Sequence, residues 1–304
     1  MTGGGQATCR GRFWGRGMAR ESLRVRRATL DDAPAIVDVC RTDVLDGNPW
    51  LEVPTCAAHL NNFLLDGHTA LVAELGGRVV GEAEFFLADE APFGRLASIN
   101  VICVHRAFHR RGVGRALMHE VFRLARRAGA RVCHVTPSPA AVAFYGRLGF
   151  EPVDHLQWCE CPLPRTAHPV RSTPCGEEPY DTVAQMTQPF GRYISSRHSW
   201  WLTSRWSQVG GEGAPGCPRR FRLSTGGLPA YLALRPRAEG RVFGYGWLPP
   251  AGSPSGLFDR LCRLAGSQGF RRLCTIVSPA LFAKLGSRFG LRETGRDLLL
   301  ARSL

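Results

Sequence analysis

The segment LFDRLCRLAGSQGFRRLC, Leu257 to Cys274, repeats LMHEVFRLARRAGARVC, Leu117 to Cys133, at an offset of 140 to 141 residues. Two further matches keep that spacing: Ser278 and Pro279 against Ser138 and Pro139, and RFGL against RLGF. A chain of 304 residues that repeats itself once in this way is expected to build one fold twice, each copy large enough to bury a core. No solenoid-length period is present.

The pattern becomes regular at Leu23. Leu23 to Arg27 reads as a strand, and Thr29 caps a helix with Asp31 and Asp32 in its first turn, where carboxylates suit the helix dipole. A second helix is predicted around Ala57 to Leu65. Strands follow at Thr69 to Glu74, Arg78 to Leu87 and Leu96 to Val104, the first two joined by a Gly76–Gly77 hairpin. Val113, Leu117, Val121, Leu124 and Ala128 recur at helical spacing until Gly129 stops the helix. Arg131 to Thr136 reads as a buried strand, and Ser138 with Pro139 starts a helix that ends at Gly149. Pro162, Pro164, Pro169 and Pro174 then mark a linker. The expected organisation is a disordered basic tail over 1–22, with Met18 as the preferred start, a domain over 23–163, a linker over 164–178 and a second domain over 179–304. A transit peptide remains compatible with the Arg-rich tail.

The formal charge of +14 suggests an anionic partner, but 38 Arg stand against one Lys, a skew that fits codon bias. The arginines form no stripe interleaved with aromatics, so a nucleic-acid groove is disfavoured. Eleven scattered cysteines read as reduced buried thiols of a cytoplasmic protein, with no metal site. No apolar run reaches the roughly 18 residues of a membrane span, so the chain is expected to be soluble. Self-association is left open.

HRRGVGRAL, His109 to Leu117, carries the clearest chemistry. A pyrophosphate needs converging backbone N–H donors, a helix N-terminus behind them and room for close approach. A strand, a basic turn with Gly112 and Gly114, and a helix from Val113 supply these, while Arg110, Arg111 and Arg115 add charge. A dinucleotide fingerprint fits poorly, since the third glycine and the acidic residue closing the next strand are missing. The triphosphate loop lacks its Lys and Ser or Thr.

VHRAFHRRGVGRALM and AVAFYGRLGF together resemble the acetyl-coenzyme A signature and closing helix of the GCN5-related N-acetyltransferase family. The resemblance runs from about Leu23 to Leu163 and implies an α/β (α+β) fold. That fold is a mixed, mostly antiparallel central sheet flanked by helices, the acyl-CoA N-acyltransferase fold, here duplicated. It implies an acyltransferase moving an acetyl group, not an aminoacyl group, from acetyl-CoA to an amine. The family's strands splay at the end of the fourth strand, here Ile102, Cys103 and Val104, and the pantetheine arm pairs with that edge. Tyr145 is implied as proton donor to the departing thiolate. The signature opens with Gln or Arg where this chain has His109, which predicts weaker or pH-sensitive cofactor binding. The closing motif begins with Asn near the pantetheine where this chain has Ser138, whose hydroxyl is expected either to substitute for that Asn in cofactor binding or, the preferred role, to cap the helix.

An alkylammonium with a pKa of roughly 10.4 must lose a proton before it attacks a thioester. Ser98 and Asn100 on the fourth strand can hold a water but are not bases. Glu82 and Glu84 alternate on the preceding strand and share a face. Glu84 is preferred; a solvated strand face is the alternative. His134 reads as a core histidine. Twelve acids fall between Asp31 and Glu90 against Arg41 and Arg78, a local field that would attract a cationic amine. Asp43, Trp50 and Glu52, in the loop TDVLDGNPWLEVPT, are expected to line the acceptor pocket.

The second half has Pro249 to Pro254 in place of the basic turn and Leu285 or Gly286 in place of Tyr145. It is expected to be degenerate, completing the acceptor pocket or only supporting the first domain, with Trp200, Trp201 and Trp206 as contacts. The rival to an enzyme is a catalytically weak acyl-CoA binding or sensing protein.

Overall fold

The computed structural model describes residues 22–42, 51–90, 93–164, 170–176, 178–210 and 217–304. The first half runs β1 (Leu23–Arg27), α1 (Ala33–Thr42), α2 (Val53–Leu65), β2 (Thr69–Leu75), β3 (Arg78–Glu90), β4 (Gly94–Val104), α3 (Val113–Arg127), β5 (Val132–Val135), α4 (Val142–Gly146) and β6 (Glu151–Pro162). The second contains β7 (Thr173–Cys175), β8 (Thr187–Phe190), α5 (Ser196–Gly210), β9 (Arg219–Thr225), β10 (Leu228–Pro236), β11 (Arg241–Leu248), α6 (Pro254–Ser267), β12 (Arg272–Val277), α7 (Pro279–Phe289) and β13 (Arg292–Ser303). The helix expected to run from Ser138 to Gly149 is short, because Pro139–Ala141 form a 3-10 turn ahead of α4.

All strands join one sheet in the order β1-β2-β3-β4-β5-β13-β6-β12-β8-β11-β10-β9-β7. The pairs β4–β5 and β11–β12 are parallel, and every other pair is antiparallel. Among the described residues no helix is long and apolar enough to cross a membrane.

In the first half the apolar faces of the helices sort onto the two sides of the sheet. Ile36, Val37 and Cys40 of α1 and Leu60 and Phe63 of α2 pack with Val72 and Phe86 on one side. Leu117, Val121, Phe122 and Ala125 of α3 pack with Ala83, Phe85, Ala97 and Ile99 on the other. A bulge in β4 resets that alternation. Glu84 pairs with Val101 and Phe85 with Ile99, so Asn100 is the extra residue. Beyond it Val101 and Cys103 turn to the α1–α2 side.

The halves exchange their closing strands. β13 inserts beside β5, and β6 pairs with β12, so each half's sheet is completed by the other. At the centre β6 and β13 pair Glu151 with Ala301 and Glu160 with Arg292, positions that swap under the 141-residue offset. The repeat is thus laid out about a pseudo-twofold axis near the Leu156–Asp297 pair.

The two halves differ where their central strands part. β4 and β5 pair only from Leu96–Val132 to Ser98–His134, and the rest of β4 has no strand on that side among the described residues. β11 and β12 part in the same way, but β8 fills the gap. Phe190 pairs with both Gly246 of β11 and Val277 of β12, and Gly191 N–H donates to the Ile276 carbonyl at 2.8 Å.

Candidate functional site

At the start of α3, Gly112 occupies the N-cap position with φ +83°, a left-handed conformation that glycine adopts without steric cost. Intrahelical bonding begins with Ala116 N–H donating to the Gly112 carbonyl at 2.9 Å, so the N–H groups of Val113, Gly114 and Arg115 precede the ladder. The preceding residue but one, Arg110, is also left-handed at φ +60°, which costs a non-glycine residue about 1 kcal/mol or more. Arg110, Arg111 and Arg115 are exposed, and among the described residues none forms an ion pair. Free N–H groups, the positive helix end and three uncompensated guanidiniums make this an anion site.

One predicted role here changes. Gly114 is not open space, since a Cβ there would meet the Phe144 ring at 3.3 Å; its smallness seats α4 against α3. His109 Nε2 bonds the Val104 carbonyl at 2.8 Å, tying the turn to the end of β4. The matching helix of the second half offers no such site. Ser253 caps α6 by accepting from Gly256 N–H at 3.2 Å, and Pro254 at its first position has no N–H.

Tyr145 is 2 % exposed, packed between Phe144 and Phe150. Burial, then the nearby Cys133 and Cys103 thiols, raise its pKa, and it packs in the same core cluster as Cys133 of β5. Ile102 and Val104 pack toward α3, while Cys103 faces α1. Ser138 corrects another expectation: its hydroxyl caps nothing and is exposed, whereas Ser278 caps α7 by accepting from Leu281 N–H at 3.3 Å.

Glu82 and Glu84 do share the α1–α2 face, but not as a solvated one: each is 1 % exposed. Glu84 accepts from Asn100 Nδ2 at 2.7 Å and lies 2.9 and 3.1 Å from His59 Nε2. Among the described residues Glu82 meets the Cys40 thiol, at 2.8 Å, and burial followed by the Glu84 charge pushes its pKa up to about 8. Cys40, Glu82 and Cys103 bring potential ligand atoms within 4.8 Å of one another, yet the thiol proton already satisfies the carboxyl and the trio closes on itself. His134 is a core histidine, as expected. Its Nε2 meets Ser98 Oγ at 2.6 Å, and burial drives its pKa down to about 3.

Six of the twelve acids between Asp31 and Glu90 are paired with arginine. Arg26 pairs with Asp32 and Glu74, Arg78 with Asp38, Arg95 with Asp89, Arg192 with Glu90 and Arg205 with Asp66. Four of those arginines lie outside the stretch and arrive from β1, β4 and the second half. Of the predicted pocket residues, Glu52 is exposed at the start of α2, and Asp43 and Trp50 lie outside the described residues.

The second half covers the α2–β3 surface. Thr136 Oγ1 donates to the Tyr193 carbonyl at 3.1 Å, and Ser196 N–H donates to Glu90 at 2.5 Å. Trp201 stands edge-on to His59, Phe63 and Phe86 and donates to Asp66 at 2.8 Å. A cavity of about 410 Å3 opens between α2 and α5, with Asp66, His68, Tyr180, Arg197, Trp201 and Arg205 among its lining.

Residues 38–150 match the family described as Acetyltransferase (GNAT) family. That stretch of the first half is similar to the GNAT family. Over nearly its whole length the chain has the fold of solved GNAT proteins. A GCN5-related N-acetyltransferase from Anabaena variabilis aligns at 13% identity and TM-score 0.64, over 92% of this chain and 72% of that one. One from Kribbella flavida aligns at 15% identity and TM-score 0.61, over 94% and 72%. A tandem GNAT protein from the clavulanic acid biosynthesis pathway aligns at 14% identity and TM-score 0.55, over 93% and 98%. No curated protein matches the chain in sequence.

Within residues 38–150 the sequence reading missed His59. Its place on the buried face of α2, between Cys56 and Phe63 at helical spacing, was legible. Its pairing with a carboxylate on β3 was not.

Proposed function

We propose that the first half, residues 23–163, transfers an acetyl group from acetyl-CoA to a primary amine. The degenerate second half, residues 179–304, serves as its support. The observation that carries this reading is the α3 N-terminus: unbonded N–H groups behind a left-handed glycine, flanked by unpaired Arg110, Arg111 and Arg115. It opens beside a β4 edge with no strand partner, a surface suited to an amide-bearing pantetheine arm. Ser138, exposed and making no cap, is free to bond that arm.

In the transfer, the substrate ammonium gives a proton to Glu84, directly or through one water. The freed lone pair attacks the thioester carbonyl, the C–N bond forms, and backbone N–H near Val104 stabilises the oxyanion. The C–S bond then breaks, Tyr145 protonates the thiolate, and the second amine proton leaves to solvent. A small cationic amine or a protein amino group suits a site beside Glu84 and Glu52, while six of the twelve acids of the stretch are paired with arginine. Free, mostly buried cysteines fit a reducing compartment, and we place the protein in the cytoplasm.

Thiol release from acetyl-CoA across an amine panel tests this. Wild-type protein is expected to turn over at least one amine, and Tyr145→Phe to lower kcat by roughly tenfold or more while leaving acetyl-CoA affinity in place. The second reading, an acyl-CoA sensor, is favoured by the 1 % exposure of both carboxyls. Tight acetyl-CoA binding with no thiol release from any amine would establish it.

A further inference from the structure

The cavity of about 410 Å3 between α2 and α5 has the size of a small-molecule pocket, roughly 300 to 1,000 Å3. Both halves build it. The first supplies the end of α2 at Asp66 and His68, and the second supplies α5 and the turn Tyr180–Thr182 ahead of β8. Its walls are held in place by their own bonds. Trp200 Nε1 donates to the Glu178 carbonyl at 2.9 Å, Thr182 N–H to the Pro179 carbonyl at 3.1 Å, and Val183 N–H to the Tyr180 carbonyl at 2.8 Å.

Part of the charge in the lining is cancelled within the protein. Asp66 accepts from Arg205 at 2.8 and 2.7 Å and from the Trp201 indole at 2.8 Å. The rest is not. Arg197, half-buried, donates to the Leu87 carbonyl at 2.8 Å and lies over the Tyr180 ring at 5.3 Å, and among the described residues no carboxylate pairs with it. Glu178 and Asp181 also line the cavity, and among the described residues neither forms an ion pair. One guanidinium and two carboxylates thus border the same space without meeting, with Tyr180 and Trp201 as aromatic walls. A plain anion would face both carboxylates, and a plain cation would leave Arg197 without a counter-charge. A ligand carrying both signs satisfies each group.

We propose that this cavity binds a free amino acid with an apolar or aromatic side chain. Its carboxylate meets Arg197, its ammonium meets Glu178 and Asp181, and its side chain packs on Trp201 and Tyr180. The planar guanidinium suits a carboxylate in a two-point bond, and an ammonium is also drawn to the face of a Tyr or Trp ring. The site is distinct from the acetyl-CoA turn, because α2 and Trp201 pack on one side of the sheet and α3 on the other. It is distinct from Glu84 as well. Arg197 reaches β3 at Leu87, three residues or about 10 Å along the strand from Glu84, toward the end where β4 and β5 are still paired.

Calorimetric titration of the full-length protein at neutral pH tests this. The probes are L-phenylalanine, L-tryptophan and L-leucine, with phenethylamine and 3-phenylpropionate as analogues that each lack one charge. At least one amino acid is expected to bind with a Kd of about 1 mM or tighter. Each analogue should bind roughly tenfold or more weakly than L-phenylalanine, since it forfeits a charge-assisted bond. Arg197→Gln, which keeps a donor for the Leu87 carbonyl, and Asp181→Asn, at an exposed position, should each weaken binding by roughly tenfold or more. Saturating acetyl-CoA should leave the affinity unchanged. Should Arg197→Gln fail to fold, Asp181→Asn and the two analogues decide. No binding of any of the three amino acids up to about 10 mM overturns the proposal. So does an analogue that binds as tightly as L-phenylalanine, wild-type affinity in the variants, or displacement by acetyl-CoA. None of these readouts needs turnover, so they stand apart from the acetyltransferase reading.

Discussion

At residue scale, Gly112 and Gly114 do different work although they read as a pair. Gly112 is held at φ +83°, so Gly112→Ala is expected to cost about 1 kcal/mol and to weaken acetyl-CoA binding by rotating the first N–H groups of α3. Calorimetric titration beside thermal unfolding checks this. A larger loss of affinity than of stability is expected. Gly114→Ala should behave in the opposite way, because its new methyl displaces Phe144, at 3.3 Å, and strikes packing before ligand. The kind of turn was legible in residue types at a spacing. That spacing could not divide the roles, because the ring that fills the space at Gly114 comes from α4, some thirty positions on.

At element scale, β8 is the feature with most consequence. In the gap between β11 and β12 it pairs with both strands, whereas the corresponding end of β4 has no strand on that side among the described residues. One acetyl-CoA per chain is therefore expected, measured by equilibrium dialysis, and two would show that β8 leaves its gap. The fit is tight, since a Cβ at Gly246 would lie 2.2 Å from the Phe190 ring. Gly246→Ala should accordingly speed amide exchange at Phe190 and Gly191 ahead of the rest of the sheet. TQPF, Thr187 to Phe190, is too short and too proline-bearing to stand out as a strand. It is one because a gap of that size needs filling.

At the scale of the whole molecule, stability should depend on acid. Burial depresses His68, His134 and His198 to about 3 from an unfolded value near 6.5. Each binds its proton in the unfolded chain first, so the stability is full above about pH 6.5 and is lost as pH falls toward 3. Thermal unfolding followed from pH 8 to pH 5 should show Tm falling progressively below pH 6.5. Glu82, raised to about 8, acts in the other direction, and Glu82→Gln should protect the protein as pH rises through 8.

The sequence by itself determined the duplicated architecture, the elements of the first half and the basic turn before α3. These rest on periodicity, on glycine and proline placement and on motif spacing, which are local along the chain. Only the tertiary structure decided that the halves trade closing strands, that β8 closes one of two parallel-strand gaps, and that the acids of Asp31 to Glu90 meet arginines from distant segments. It also decided that Glu84 meets His59 and Asn100 while Glu82 meets the Cys40 thiol. The reason is common to all four. A strand's edge and a carboxyl's charge are settled by what stands beside them in space, and those neighbours lie up to about half the chain away in sequence.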